Sequence, residues 1–98
     1  MAKPSKSSLQ RGDPRCFICG CRVGLERHHI LGGFSSKNRD MSEKFGLWVY
    51  LCQKCHTGKD GAQYNVELNK ALKRLAQIAF EARHSHEEWM QIFRKSYL

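Results

Sequence analysis

The sequence predicts a small α+β fold that is cross-linked by a metal ion, and three observations support this class. Two C-x-x-C pairs, Cys16-x-x-Cys19 and Cys52-x-x-Cys55, lie far apart in the chain. An apolar, partly β-branched run from Leu47 to Leu51 has the composition and length of a strand and leads directly into Cys52. The last third of the chain has the apolar spacing of amphipathic helices.

Length and charge limit the classes of protein to consider. A chain of 98 residues forms one domain and buries too little apolar surface to be comfortably stable without a cross-link. Seventeen Lys and Arg residues against nine Asp and Glu residues give a formal net charge of +8. This balance predicts a polyanionic partner, and nucleic acid is the first candidate. The alternative is that the charge serves solubility alone.

Apolar segments are too short for a membrane protein. The longest run, from Leu47 to Cys52, is far below the roughly 20 residues that span a bilayer. The first fifteen residues contain no apolar core of a secretory signal. We therefore expect no membrane association and a cytoplasmic location, where cysteines at short spacings favour metal ligation over disulfides.

Composition divides the chain into an arm and a domain. Residues 1–13 are polar and basic, which predicts a flexible arm. Residues 14–98 are predicted to form a single domain, with a metal-stapled core over 14–66 and a helical extension over 67–98. Within the core we expect a short strand near Arg27 to Leu31, followed by a loop from Gly32 to Asp40 that is rich in turn-forming residues.

The extension is predicted to hold two helices. Leu68, Leu72, Leu75 and Ala79 recur at spacings of four, three and four, which predicts one amphipathic helix ending near Arg83. A second helix is indicated by Ser85-His86-Glu87-Glu88, which has the S-x-x-E form of a capping box. The apolar face of this second helix consists of Trp89, Met90 and Phe93.

The cysteine pairs predict a closed, structural zinc site. Two C-x-x-C knuckles can supply the four thiolates of a tetrahedral Zn²⁺ ion, formed here by Cys16, Cys19, Cys52 and Cys55. Cys21 is left over and could replace Cys19 through the C-x-x-C-x-C arrangement. A thioredoxin-like redox pair is the competing interpretation, but it requires a βαβ scaffold that the sequence does not show.

Three of the five histidines stand in a suggestive pattern. His28 and His29 are adjacent, and His56 follows Cys55 directly, so the metal knuckle would fix its position. This grouping indicates a functional cluster. His84 and His86 flank the capping box instead, and we expect them to serve as polar helix ends.

Together, Cys16-x-x-Cys19, then His28-His29-Ile30, then Leu51-Cys52-x-x-Cys55-His56 resemble the zinc-containing HNH endonucleases, in particular short phage-encoded ones. The resemblance covers roughly residues 15 to 66. It implies a ββα-metal (HNH, or His-Me finger) core in which His28 and His56 bind one catalytic Mg²⁺ or Mn²⁺ ion. In that scheme His29 is the general base that activates water.

The chain departs from this family at two places. An Asn usually begins the second strand and helps to orient the base, but Leu47 occupies that position here. Asn38, in the preceding predicted loop, could substitute for it. The segment from Gly58 to Gly61 interrupts the helix that normally follows the last histidine, and Asp60, Gln63 or Asn65 could supply a further cation ligand.

The predicted function is therefore a metal-dependent, one-cation endonuclease that hydrolyses phosphodiester bonds, in DNA more than in RNA. Phosphate contacts are expected from four basic residues near the site: Arg27, Lys37, Arg39 and Lys44. The main alternative is a non-catalytic, zinc-stabilised module that binds nucleic acid. A third possibility is an adaptor that binds a protein partner or activator through the helical tail with Trp89, Phe93 and Tyr97.

Overall fold

The computed structural model describes residues 6–10, 12–31, 36–58, 61–62 and 65–98. Within these residues the α+β class is confirmed, with one two-stranded sheet and four helices. In chain order the elements are β1 (Leu25–His29), α1 (Ser36–Phe45), β2 (Trp48–Cys52), α2 (Gln53–His56), α3 (Val66–Glu81) and α4 (His86–Phe93). None of the helices in this described part is long and apolar enough to cross a membrane.

The sheet brings the two ends of the predicted core together. β1 and β2 are antiparallel, and their register pairs Leu25 with Cys52 and His29 with Trp48. Side chains alternate between the two faces of a strand. Glu26 and His28 therefore lie on one face of β1, whereas Arg27 and His29 lie on the other.

A helix occupies part of the segment that the sequence analysis assigned to a loop. Residues 36–40 belong to α1, so the predicted loop from Gly32 to Asp40 is wrong for that half, while residues 32–35 lie outside the described part. Met41 and Phe45 pack against the core from α1 with the spacing of four that one helix face requires. Gly46, with a φ of 70°, ends the helix in the left-handed conformation that glycine adopts without strain.

The N-terminal segment lies along β2. The Ser7 hydroxyl donates to the Trp48 carbonyl at 2.5 Å, and the Tyr50 amide donates to the Gln10 side chain at 2.9 Å. Ser7 is buried. Residues 6–10 therefore differ from the flexible arm expected over 1–13, because their polar groups satisfy backbone groups on the open edge of β2. Residues 1–5 and 11 lie outside the described part.

The helical extension contains the two predicted helices, but Leu75 of the predicted apolar face is exposed, and Ala76 and Phe80 are buried with Leu72 instead. The Asn65 side chain accepts from the Leu68 amide at the start of α3, and Ser85 with Glu88 forms the predicted capping box of α4. Trp89 is fully buried, and its ring packs against Phe80 and Phe93. These contacts join α3 and α4 to the same core that covers β2, so the extension packs as part of the domain.

Candidate metal centre and histidine cluster

Four cysteines form one compact group. The Sγ atoms of Cys16, Cys19, Cys52 and Cys55 all lie within 4.8 Å of one another, and those of Cys19 and Cys52 are 3.6 Å apart. Sulfurs bound at about 2.3 Å around a tetrahedral zinc ion lie about 3.8 Å from one another. The group therefore has the donor type, number and spacing to hold a metal ion such as zinc.

Local backbone geometry favours a thiolate at the first cysteine. Burial alone would raise the pKa of Cys16, but backbone N–H groups at Cys19, Cys52 and Ile18 lower it to about 6. Burial, together with the neighbouring cysteines, raises the pKa of Cys55 to about 12. One thiolate thus forms readily, and the crowding of the other sulfurs favours a cation that would neutralise them.

Cys21 lies outside this group. Its exposed sulfur accepts from the Val23 amide at 3.5 Å. Among the described residues, the group of cysteines that could hold a metal ion contains Cys19 and not Cys21. The alternative in which Cys21 replaces Cys19 is therefore not the arrangement observed.

The structure brings His28 and His56 together. Their ring centroids are 5.0 Å apart in an edge-to-face arrangement. Burial, followed by the charges of His56, His29 and Lys73, lowers the pKa of His28 to about 4. The buried Nε2 atom of His28 has no hydrogen-bond partner among the described residues. His28 is thus a neutral imidazole with a free ring nitrogen, which is the state that binds a cation.

Glu26 completes this side of the sheet. One of its carboxylate oxygens lies 3.4 Å from Nδ1 of His56, and its side chain is half exposed. His56 itself sits at the end of α2, directly after Cys55. The cysteine group and the His28–His56 pair therefore adjoin each other through a single peptide link.

His29 lies on the opposite face of β1, against α1. Its Nε2 atom is 2.9 Å from a carboxylate oxygen of Glu43, and the other oxygen of Glu43 accepts from Arg27. The Arg27 guanidinium also lies 3.8 Å over the centre of the Trp48 ring. A carboxylate held by two partners in this way fixes the orientation of the imidazole.

The two predicted roles of the histidine pair are therefore separated in space. His28 joins His56, whereas His29 joins Glu43. Sequence analysis missed both Glu26 and Glu43. Glu43 could have been found from α1, because Met41 and Phe45 recur at a spacing of four and Gly46 follows as a helix stop. Glu26 gives no such signal apart from its place two residues before His28.

The predicted phosphate contacts fall into different environments. Arg27 forms an ion pair with Glu43 and lies over the Trp48 ring, as described above. The other three, Lys37, Arg39 and Lys44, are exposed along α1. Helical spacing puts Arg39 on the face of Glu43, while Lys37 and Lys44, seven residues apart, share another face.

Only some of the candidates for a further cation ligand lie within the described residues. Asp60 and Gln63 lie outside the described residues. The side chain of Asn65 accepts from the Leu68 amide at 3.0 Å as the cap of α3. Asn38 lies in α1 rather than in a loop, and Leu47 is fully buried in the core.

Comparison of the chain with protein-family models, with curated proteins and with solved structures finds no match.

Proposed function

We propose that the protein is a metal-dependent endonuclease of the HNH type that hydrolyses phosphodiester bonds in DNA. The observation that carries this proposal is the His28–His56 ring pair, set directly beside a group of four cysteines. Two imidazoles from distant parts of the chain meet next to a position that a metal knuckle would fix. The net charge of +8 supports a polyanionic substrate.

Structural zinc is the proposed occupant of the cysteine group. Four thiolates leave no open coordination position, so this ion would serve folding and not catalysis. It would tie the segment of Cys16 and Cys19 to the end of β2 and thereby hold His56 in place.

His28 and His56 are the proposed ligands of a second, catalytic Mg²⁺ or Mn²⁺ ion. The free, buried Nε2 atom of His28 and the carboxylate of Glu26 near His56 fit this use. When bound, such a cation would stabilise negative charge on the scissile phosphate and on the leaving oxygen.

His29 is the proposed general base, and Glu43 determines which of its nitrogens can act. An ionised carboxylate only accepts hydrogen bonds, so Nε2 of His29 carries the proton in its contact with Glu43. The lone pair then remains on Nδ1, which can take a proton from water. Glu43 thus takes over the orienting role that Asn has in the family and that the buried Leu47 cannot fill.

A second candidate function is a non-catalytic module that binds nucleic acid. Two observations favour it: Leu47 is fully buried where the family has Asn, and His29 faces away from the His28–His56 pair. A module of this kind would keep the cysteine group for stability and its basic residues for phosphate contacts.

Nicking of supercoiled plasmid in Mg²⁺ or Mn²⁺ tests the proposal. The zinc-loaded wild type is compared with His29→Ala and with His86→Ala, a control at an exposed histidine on α4. Cleavage by the wild type and the control, with a loss of about a hundredfold or more in His29→Ala, supports the nuclease. Absence of cleavage in all three, with DNA binding retained, supports the binding module. Equal cleavage by all three contradicts His29 as the base.

A further inference from the structure

A basic cleft lies between the N-terminal segment, the end of α1 and the end of α3. Its volume is about 330 Å³. Four cationic or titratable side chains line it, together with two aromatic rings: Lys6, Lys44, Arg83, His84, Phe45 and Phe80. The cysteine group and the residues of the histidine cluster do not contribute to this lining. The cleft is therefore a separate feature of the surface.

Three of the four cationic or titratable groups of the cleft have no acidic partner within the described part of the chain, whereas Nδ1 of His84 lies 3.4 Å from a carboxylate oxygen of Glu88. Lys6, Lys44 and Arg83 form no ion pair with another described residue, whereas Arg27 and Arg22 are paired with Glu43 and Asp13. Three like charges around one cavity repel one another unless an anion lies between them. This arrangement favours an anionic ligand.

Helix capping does not account for these cations. At the end of α1 the Phe45 carbonyl accepts from the Ser8 hydroxyl, and the Glu43 carbonyl accepts from the Gly46 amide. At the end of α3 the Phe80 carbonyl accepts from two backbone amides. These three carbonyls thus have other donors and do not engage the Lys44 and Arg83 side chains, which remain available for a ligand.

Aromatic side chains line the cleft; Phe80 is itself buried, so Phe45 and His84 are the rings that a ligand can reach. The His84 ring stacks on Phe80 at 4.6 Å, and Phe45 meets both of them edge to face at 5.1 Å and 5.2 Å. Aromatic surface next to phosphate-binding cations is the combination that holds single-stranded nucleic acid, because bases and sugars pack on the rings. The volume of the cleft exceeds the needs of an isolated phosphate and suits a nucleotide unit.

We propose that this basic cleft binds one nucleotide of a nucleic-acid strand, with its phosphate on Lys6, Lys44 and Arg83. Glu43, which contacts His29, and Lys44 are consecutive residues of α1, so the cleft and His29 adjoin neighbouring faces of one helix. The cleft would thus be a second contact site for a nucleic-acid strand, separate from His28, His29 and His56. Binding there requires neither a catalytic cation nor hydrolysis, so this proposal goes beyond the nuclease proposal and can be tested without it.

The test measures binding of a fluorescein-labelled oligothymidylate of about twelve nucleotides by fluorescence anisotropy. The zinc-loaded full chain is used in buffer without Mg²⁺ or Mn²⁺. The cleft variant is Lys44→Gln/Arg83→Gln. Its matched control is Lys70→Gln/Arg74→Gln, which removes the same charge from exposed positions of α3. Circular dichroism and melting temperature establish that both variants are folded like the wild type.

We expect the cleft variant to bind about tenfold more weakly and to lose about 1.4 from the slope of log K against log salt, as two lost phosphate contacts require. The control should differ from the wild type by less than about threefold, because its charges act only at long range. Equal losses in the two variants, no loss in the cleft variant, or no binding by the wild type would each overturn the proposal. Failure of plasmid nicking with the cleft result intact would reject only the nuclease.

Discussion

Replacing Cys19 with Ser should weaken metal binding and remove much of the stability, although the side chain buries almost nothing. Cys19 is exposed, so the change from sulfur to oxygen costs little packing. Its Sγ atom nevertheless belongs to the four-cysteine group and lies 3.6 Å from that of Cys52. Any large effect must therefore arise from lost ligation.

The expected loss of stability is obtained by dividing the zinc-binding free energy equally among the four thiolate ligands. Structural zinc contributes about 10–16 kcal/mol of apparent free energy in small domains, so one of four thiolates accounts for about 2.5–4 kcal/mol. A chain of this length has a total stability of about 5–15 kcal/mol. A loss of this size should lower the melting temperature by about 10–30 °C.

Cys21→Ser is the matched control, since Cys21 is also an exposed cysteine of the same segment but lies outside the group. Zinc content is measured by plasma mass spectrometry, and unfolding is followed by circular dichroism in the presence of zinc. The control should keep its zinc and its melting temperature. If Cys19→Ser retains the zinc content of the wild type and melts with Cys21→Ser, the four-thiolate site is refuted.

Three further predictions concern stability. Because the pKa of His28 is lowered from 6.5 to about 4, only the unfolded chain takes up this proton between those values. The free energy of unfolding should thus fall on acidification through that window, by at most about 3 kcal/mol, and His28→Gln should lack this component in urea titrations. Gly46→Ala should destabilise by about 1 kcal/mol or more, since φ is 70° and the added Cβ would lie 2.8 Å from the Ser8 hydroxyl oxygen; an unchanged urea midpoint would contradict this. Ser85→Ala should cost about 1 kcal/mol by removing the capping box, whereas the exposed control Gln91→Ala should leave the melting temperature nearly unchanged.

Local patterns predicted the elements whose signals lie within a few residues. The spacing of Leu68 and Leu72 and the Ser85 box gave both C-terminal helices, because helical periodicity and capping depend on neighbours three or four positions away. The strand before Cys52 was also predicted, and the four-cysteine group followed from the two C-x-x-C spacings.

Features that depend on tertiary contacts were not predicted. The segment before Met41 contains Gly, Ser and Asn, which favour loops, and the packing of Met41 and Phe45 on the core overrides that preference in α1. For the same reason Glu43 was missed as the partner of His29. The N-terminal segment is mostly polar, and it is the open edge of β2 and the end of α1 that give Ser7, Gln10 and Ser8 their hydrogen-bond partners.

The His28–His56 pair and the His29–Glu43 contact are held by different parts of the fold, so loss of zinc should affect them differently. His56 follows Cys55 on α2, so a metal ion held by the cysteine group would help to fix its position beside His28. The position of His29 depends instead on Glu43, and α1 reaches the core through apolar contacts of its own. Loss of zinc should therefore separate His56 from His28 first and leave the His29–Glu43 contact to follow only when β1 itself unfolds. Zinc bound at the cysteine group would thus act on the proposed cation ligands directly and on the proposed base only through the sheet.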